Sequence, residues 1–229
     1  MKRIHLKTGA LFLALLMPFL LCACPAGTDK QGMTLTRLSA GVYRCEETGV
    51  TYTRAQDTYL PGRMSSAVYA SYQSDGEILL ALYKLGPDTA NEYLVSADPD
   101  DLYPGTFYTA EGYDLPTLSE METREIWICA ADAEIFWASA NIISQMRNAD
   151  RVDAVIDAYE NGTEATLPSG LAQDCVQLIF RSEKYPEIYY YCTYYSFGVG
   201  ESYLFEFDTR RCVRVPDDLF EDYALSFDE

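Results

Sequence analysis

Histidine is all but missing: the chain has a single one, His5, five residues from its start. Everything after it lacks an imidazole to serve as a general base near neutral pH or as a metal ligand. That argues against Ser-His-Asp and Cys-His hydrolases, cell-wall peptidases and transpeptidases of the Cys-His kind, and zinc sites built on histidine. Basic residues are scarce too, with 17 Lys plus Arg against 35 Asp plus Glu. Nucleic-acid binding needs Lys and Arg to neutralise phosphates, so no nucleic-acid partner is expected. The chain has no Cys-x-x-Cys pair, no glycine-rich phosphate loop and no Gly-x-Ser-x-Gly elbow. No catalytic set, metal site or cofactor is expected on these grounds.

What is present begins with Lys2, Arg3 and Lys7, followed by an apolar run from Leu11 to Leu21 broken only by Pro18. A basic start, a short apolar middle and a small residue before a cleavage point form a secretory leader. The run is shorter than the ~20 apolar residues a membrane-spanning helix requires. It ends in Leu21-Cys22-Ala23-Cys24, which resembles the lipobox of bacterial prelipoproteins: Leu three residues before a Cys, and Ala immediately before it. The resemblance covers residues 1–24 only. It implies that residues 1–23 are a signal peptide and that the Cys24 thiol receives a diacylglycerol, making Cys24 the first residue of the mature chain. Bulky Leu21 makes Cys22 the poorer acceptor. A lipoprotein anchored in the cell membrane at its extracytoplasmic face is therefore expected, because a two-chain anchor holds stably where one acyl chain is marginal.

Without residues 1–23 the chain keeps 14 bases against 35 acids, a net charge of −21. Such a body repels anionic head groups, so attachment would come from the lipid rather than from a basic patch. With 48% hydrophobic and 14% aromatic residues it still has the material for a core. Residues 24–37 read as the lipidated N-terminus and a polar tether, and residues 38–229 as a single globular body.

The body reads as α+β, mainly antiparallel β-sheet in meanders. Val42–Cys45 and Val50–Thr53 flank a turn at Glu47-Thr48-Gly49; Ala67–Tyr72, Glu77–Leu85, Asn91–Ala97 and Thr106–Thr109 follow, separated by turn-formers such as Ser74-Asp75-Gly76. Residues 120–147 fit either one long helix or strands at Glu125–Cys129, Glu134–Ala138 and Asn141–Gln145, with strands preferred. Val152, Val155, Ile156 and Tyr159 form one stripe of an amphipathic helix near 150–160, with Asn148 or Asp150 as its cap and Asn161-Gly162 as a left-handed stop. Strands resume at Asp174–Phe180, Glu187–Tyr195, Glu201–Phe207 and Arg211–Val215. Leu219, Phe220, Tyr223 and Phe227 offer one apolar face of a short C-terminal helix. A shift of 110 positions aligns Glu77-Ile78 with Glu187-Ile188 and Tyr93-Leu94 with Tyr203-Leu204, suggesting two related half-units near 41–118 and 120–229.

Candidate site residues are few. In Tyr189-Tyr190-Tyr191-Cys192-Thr193-Tyr194-Tyr195, strand alternation puts Tyr189 and Tyr191 on one face. Flat phenols with hydroxyl tips suit a ligand platform for sugars or peptides, and they equally suit cross-strand packing. If Phe180 faces Glu187, Cys175 falls opposite Cys192, a candidate disulfide; each is otherwise a small buried hydrophobe. Asp98, Asp100 and Asp101, like Asp217 and Asp218, read as solvated turn acids rather than calcium ligands. The expected role is a non-catalytic binding or interaction module, its partner an envelope polymer, a peptide or another envelope protein. The alternative is a carboxylate-dependent glycan hydrolase of the envelope, which needs only two placed acids.

Overall fold

The computed structural model describes residues 32–55, 59–86, 91–96, 105–130 and 142–225. Residues 31–229 form one compact unit. Its strands in chain order are β1 (Met33–Ser39), β2 (Val42–Cys45), β3 (Thr51–Arg54), β4 (Tyr59–Pro61), β5 (Met64–Ser74), β6 (Glu77–Leu85), β7 (Tyr93–Ser96) and β8 (Phe107–Ala110). Next come β9 (Thr123–Ala130), β10 (Ile142–Met146), helix α1 (Ala149–Asn161), β11 (Thr163–Glu164), β12 (Asp174–Ser182), β13 (Ile188–Ser196), β14 (Ser202–Phe205) and β15 (Cys212–Val215). A 3-10 turn at Asp217–Phe220 is the last element. The α+β, mostly β reading holds, with strands at Thr123–Ala130 and Ile142–Met146 where one long helix was the alternative. The stretch 134–138, Asp98–Asp101 and Phe227 lie outside the described residues.

The first half is not an open meander but a closed barrel of seven strands, ordered β1-β2-β3-β8-β7-β6-β5. The closing seam is β1, which pairs antiparallel with β2 and parallel with β5, Met33 opposite Ala70 and Thr34 opposite Ser71. Closure removes both sheet edges, the groups most prone to pair with another chain. Met33–Arg37, expected as the end of a polar tether over residues 24–37, are instead part of a strand. Leu35, Cys45, Tyr52, Ala70, Leu82, Leu94, Tyr108 and Ala110 fill the barrel.

The second half is an eight-stranded sheet, ordered β10-β9-β12-β13-β14-β15-β11, with β4 added beside β13. One face packs on α1: Ile126, Ile128, Leu178, Phe180, Tyr190, Cys192, Leu204 and Val213 meet Val152, Val155 and Tyr159. Asn148 caps the helix, its side chain accepting from the Arg151 amide. Gly162 is extended (φ −64°, ψ 161°), not left-handed as expected. A glycine stands there for room, because a Cβ would lie 2.2 Å from the Ala158 carbonyl oxygen as the chain turns directly into β11.

Strand β4 joins the halves, with Leu60 opposite Tyr189 and Tyr59 opposite Tyr190. Around it Leu85, Val95 and Phe107 from the barrel pack with Ile188 from the sheet. The hairpins β6–β7 and β13–β14 share a register: Tyr83↔Val95 and Lys84↔Leu94, moved by 110 positions, land on the observed pairs Thr193↔Phe205 and Tyr194↔Leu204. Among the described residues no helix is long and apolar enough to cross a membrane.

Candidate functional site

Alternation divides β9, β12 and β13 cleanly. Ile126, Ile128, Leu178, Phe180, Tyr190 and Cys192 turn toward α1, which sends Glu125, Trp127, Arg181, Ile179, Tyr189 and Tyr191 to the opposite face. Register then aligns them in rows. Trp127 stands opposite Ile179 and Ile179 opposite Tyr191, while Arg181 stands opposite Glu125. Trp127, Tyr189 and Tyr191 are half-buried around Leu60, Cys129 and Ile179.

Charge and rings interlock here. The Arg181 guanidinium carbon lies 3.9 Å from the Trp127 ring centroid and 5.2 Å from that of Tyr189, and the two rings are 6.2 Å apart. A cation over aromatic faces is attracted by their quadrupoles, most strongly for Trp. Arg181 Nη1 also donates to Glu125 Oε1 at 2.5 Å, and Trp127 Nε1 donates to the same oxygen at 3.0 Å. The other oxygen, Oε2, accepts from Arg147 Nε at 2.9 Å. Burial alone would raise the Glu125 pKa; the hydrogen bond from Arg147 and the charge of Arg181 outweigh it and hold the carboxyl below its usual range. Buried Arg181 Nε has no hydrogen-bond partner. The result is a rigid aromatic shelf with a fixed guanidinium in its middle.

The Tyr189 and Tyr191 pair thus lies on one face, as alternation requires, joined by Trp127, Arg181 and Glu125, which sequence reasoning left out. Gly62 of the loop after β4 comes against the Tyr189 hydroxyl, leaving only 2.9 Å to a hypothetical Cβ. The Cys175–Cys192 disulfide is not formed. Cys175 pairs with Tyr195 and Cys192 with Leu178, placing the thiols on opposite faces of the sheet. Phe180 faces Tyr190 rather than Glu187, because the Ser182 hydroxyl accepts from the amides of Lys184 and Tyr185 and shapes a turn before Ile188.

Two other places in the fold are polar. A groove of about 470 Å³ is lined by Asp174, Asp217 and Glu221 with Tyr194 and Ser202, whose hydroxyls are 3.1 Å apart. Among the described residues no group of three or more His, Cys, Asp or Glu side chains is placed to hold a metal ion. Beneath α1, Glu206 is buried and accepts from Tyr159 and Thr209, which serves packing rather than access. The chain matches no family model, no curated protein and no solved structure.

Proposed function

We propose that the protein is an exported lipoprotein, anchored through Cys24, whose body binds an envelope ligand without chemistry, on the shelf of Trp127, Tyr189 and Tyr191. The Trp127–Arg181–Tyr189 stack is the observation that carries this reading: three stiff side chains on adjacent strands, already ordered by Glu125, spend little entropy on meeting a ligand. Aromatic rings with hydroxyl tips and a guanidinium between them suit a sugar ring, apolar on its faces and polar at its edge. The acidity of the body favours an uncharged glycan strand over anionic envelope polymers.

The test uses the full chain expressed in a bacterial host and extracted from membranes. Mass spectrometry should find a diacylglycerol on Cys24, and Cys24→Ala should move the protein out of the membrane fraction. Co-sedimentation with purified peptidoglycan should be lost in a Trp127→Ala, Tyr189→Ala variant. Equal sedimentation of that variant and the parent would end the shelf reading. Release of reducing sugar during incubation would instead favour the carboxylate-dependent glycan hydrolase.

A further inference from the structure

We propose that Met33, Cys45 and Glu47 form a binding site for a soft monovalent cation, Cu(I), in the β1–β2 hairpin. The proposal rests on the barrel alone and is independent of the shelf and of the lipid anchor. Leu35 stands opposite Cys45 in the β1–β2 ladder. Met33 lies two residues from Leu35 on the same face of β1, and Glu47 lies in the turn that follows β2, two residues past Cys45. Cys45 Sγ lies 3.8 Å from Met33 Sδ and 3.6 Å from Glu47 Oε2.

Those spacings match the edges of a coordination shell. Ligand atoms about 2.3 Å (sulfur) and about 2.1 Å (oxygen) from one ion, at tetrahedral angles, stand about 3.8 Å sulfur to sulfur and about 3.6 Å sulfur to oxygen. A thiolate with a thioether selects Cu(I) over harder divalent ions. The carboxylate is already oriented, since the Thr34 amide donates to both its oxygens at 2.9 and 3.0 Å. Cys45 is fully buried, Met33 half-buried and Glu47 exposed, which leaves the carboxylate side as the way in.

Binding exchanges one cation for another. The Cys45 S–H bond breaks, its proton leaves to water, and the sulfur pair forms the bond to copper; Met33 and Glu47 donate lone pairs. Copper enters and stays as Cu(I), with no electron transferred.

The experiment is an anaerobic Cu(I) titration of the purified full chain against bicinchoninate, with X-ray absorption at the copper edge. One equivalent should bind, with two sulfurs and one oxygen around the metal. Cys45→Ser should abolish it. Met33→Leu, close in volume and therefore able to fold, should weaken it about tenfold or more, since even loss of an outer-shell partner costs 10–100-fold. Cys175→Ser, which removes a half-buried thiol on the other sheet, should change nothing. Affinity undiminished in Met33→Leu, loss of the equivalent in Cys175→Ser, or no saturable binding by the parent chain would each overturn the proposal.

Discussion

The phenol of Tyr159 donates a 2.7 Å hydrogen bond to Glu206 while accepting one of 2.8 Å from Tyr190, so a buried carboxylate is reached through two rings in series. Tyr159 comes from α1, Tyr190 from β13, and Glu206 from the turn after β14. The chain of bonds ties the helix to the sheet at a point where apolar packing alone would leave a charge stranded. Tyr159→Phe keeps the ring and removes that donor. The expected loss is about 1–3 kcal/mol of folding stability, measured by urea denaturation, with Glu206→Gln losing less because it still accepts.

The same rings set an alkaline limit. Burial above all, and then Glu206, raise the Tyr159 pKa; burial and the neighbouring Cys192 and Tyr159 raise that of Tyr190, and burial pushes Tyr59 up to about 12. A pKa raised by folding contributes stability that is whole below the unfolded value, about 10 for tyrosine, and declines as pH climbs past it. Thermal melts should therefore begin to fall above about pH 8.5, where the unfolded chain's thiols ionise while burial raises those of Cys129, Cys175, Cys192 and Cys212 in the fold, and fall more steeply above about 10. Tyrosinate absorbance should show these three rings ionising only as the fold opens.

Glu125 sets the opposite limit. Its pKa is lowered in the fold, so its contribution is whole above the unfolded carboxyl value and disappears as pH drops through the folded one. Glu125→Gln would leave Arg181 and Arg147 without their shared anion. At pH 7 it should lower stability by about 1–3 kcal/mol, the lower end reflecting partly exposed Arg147. Melts of both proteins should converge near pH 3. A gap of constant size from pH 3 to 7 would show that the carboxylate charge is not what Trp127 and Arg181 depend on.

None of the body's five cysteines is bridged in this fold. Melting temperature should be the same with and without reductant, and alkylation after unfolding should modify Cys45, Cys129, Cys175, Cys192 and Cys212 alike. Under native conditions Cys175 should react first, because it is half-buried where the other four are buried.

Strand β1 is a seam rather than a spacer. Removing Met33–Ser39 would leave β2 and β5 as bare edges of an opened barrel. The truncated chain should associate in a concentration-dependent way, seen by light scattering.

The elements that were legible are those whose evidence is local. The stripe of Val152, Val155, Ile156 and Tyr159 repeats every helical turn, and Glu77–Leu85 lies between strong turn-formers, so α1 and β6 are plain from residues alone. Strand β1 is polar, Met-Thr-Leu-Thr-Arg-Leu-Ser, and only Leu35 is buried. Its place is decided by β5, which lies far along the chain. Strand β4 is three residues long and contains Pro61, a residue that discourages a strand reading. The site followed the same rule. Alternation put Tyr189 and Tyr191 on one face, but Glu125 and Arg181 are 56 residues apart and meet only through the β9–β12 register. The Phe180–Tyr190 register depended on one serine hydroxyl in the loop, a detail that no spacing rule encodes.

Because Tyr59–Pro61 leaves the barrel's path to lie along β13, neither half owns a complete set of backbone partners. A cut in the peptide chain between the halves would not free two independent modules; each fragment would carry an unmet ladder that only the other can supply. Loosening at this three-residue splice would reach both, so heat damage begun in the barrel passes to the aromatic shelf through Leu60 and Tyr189.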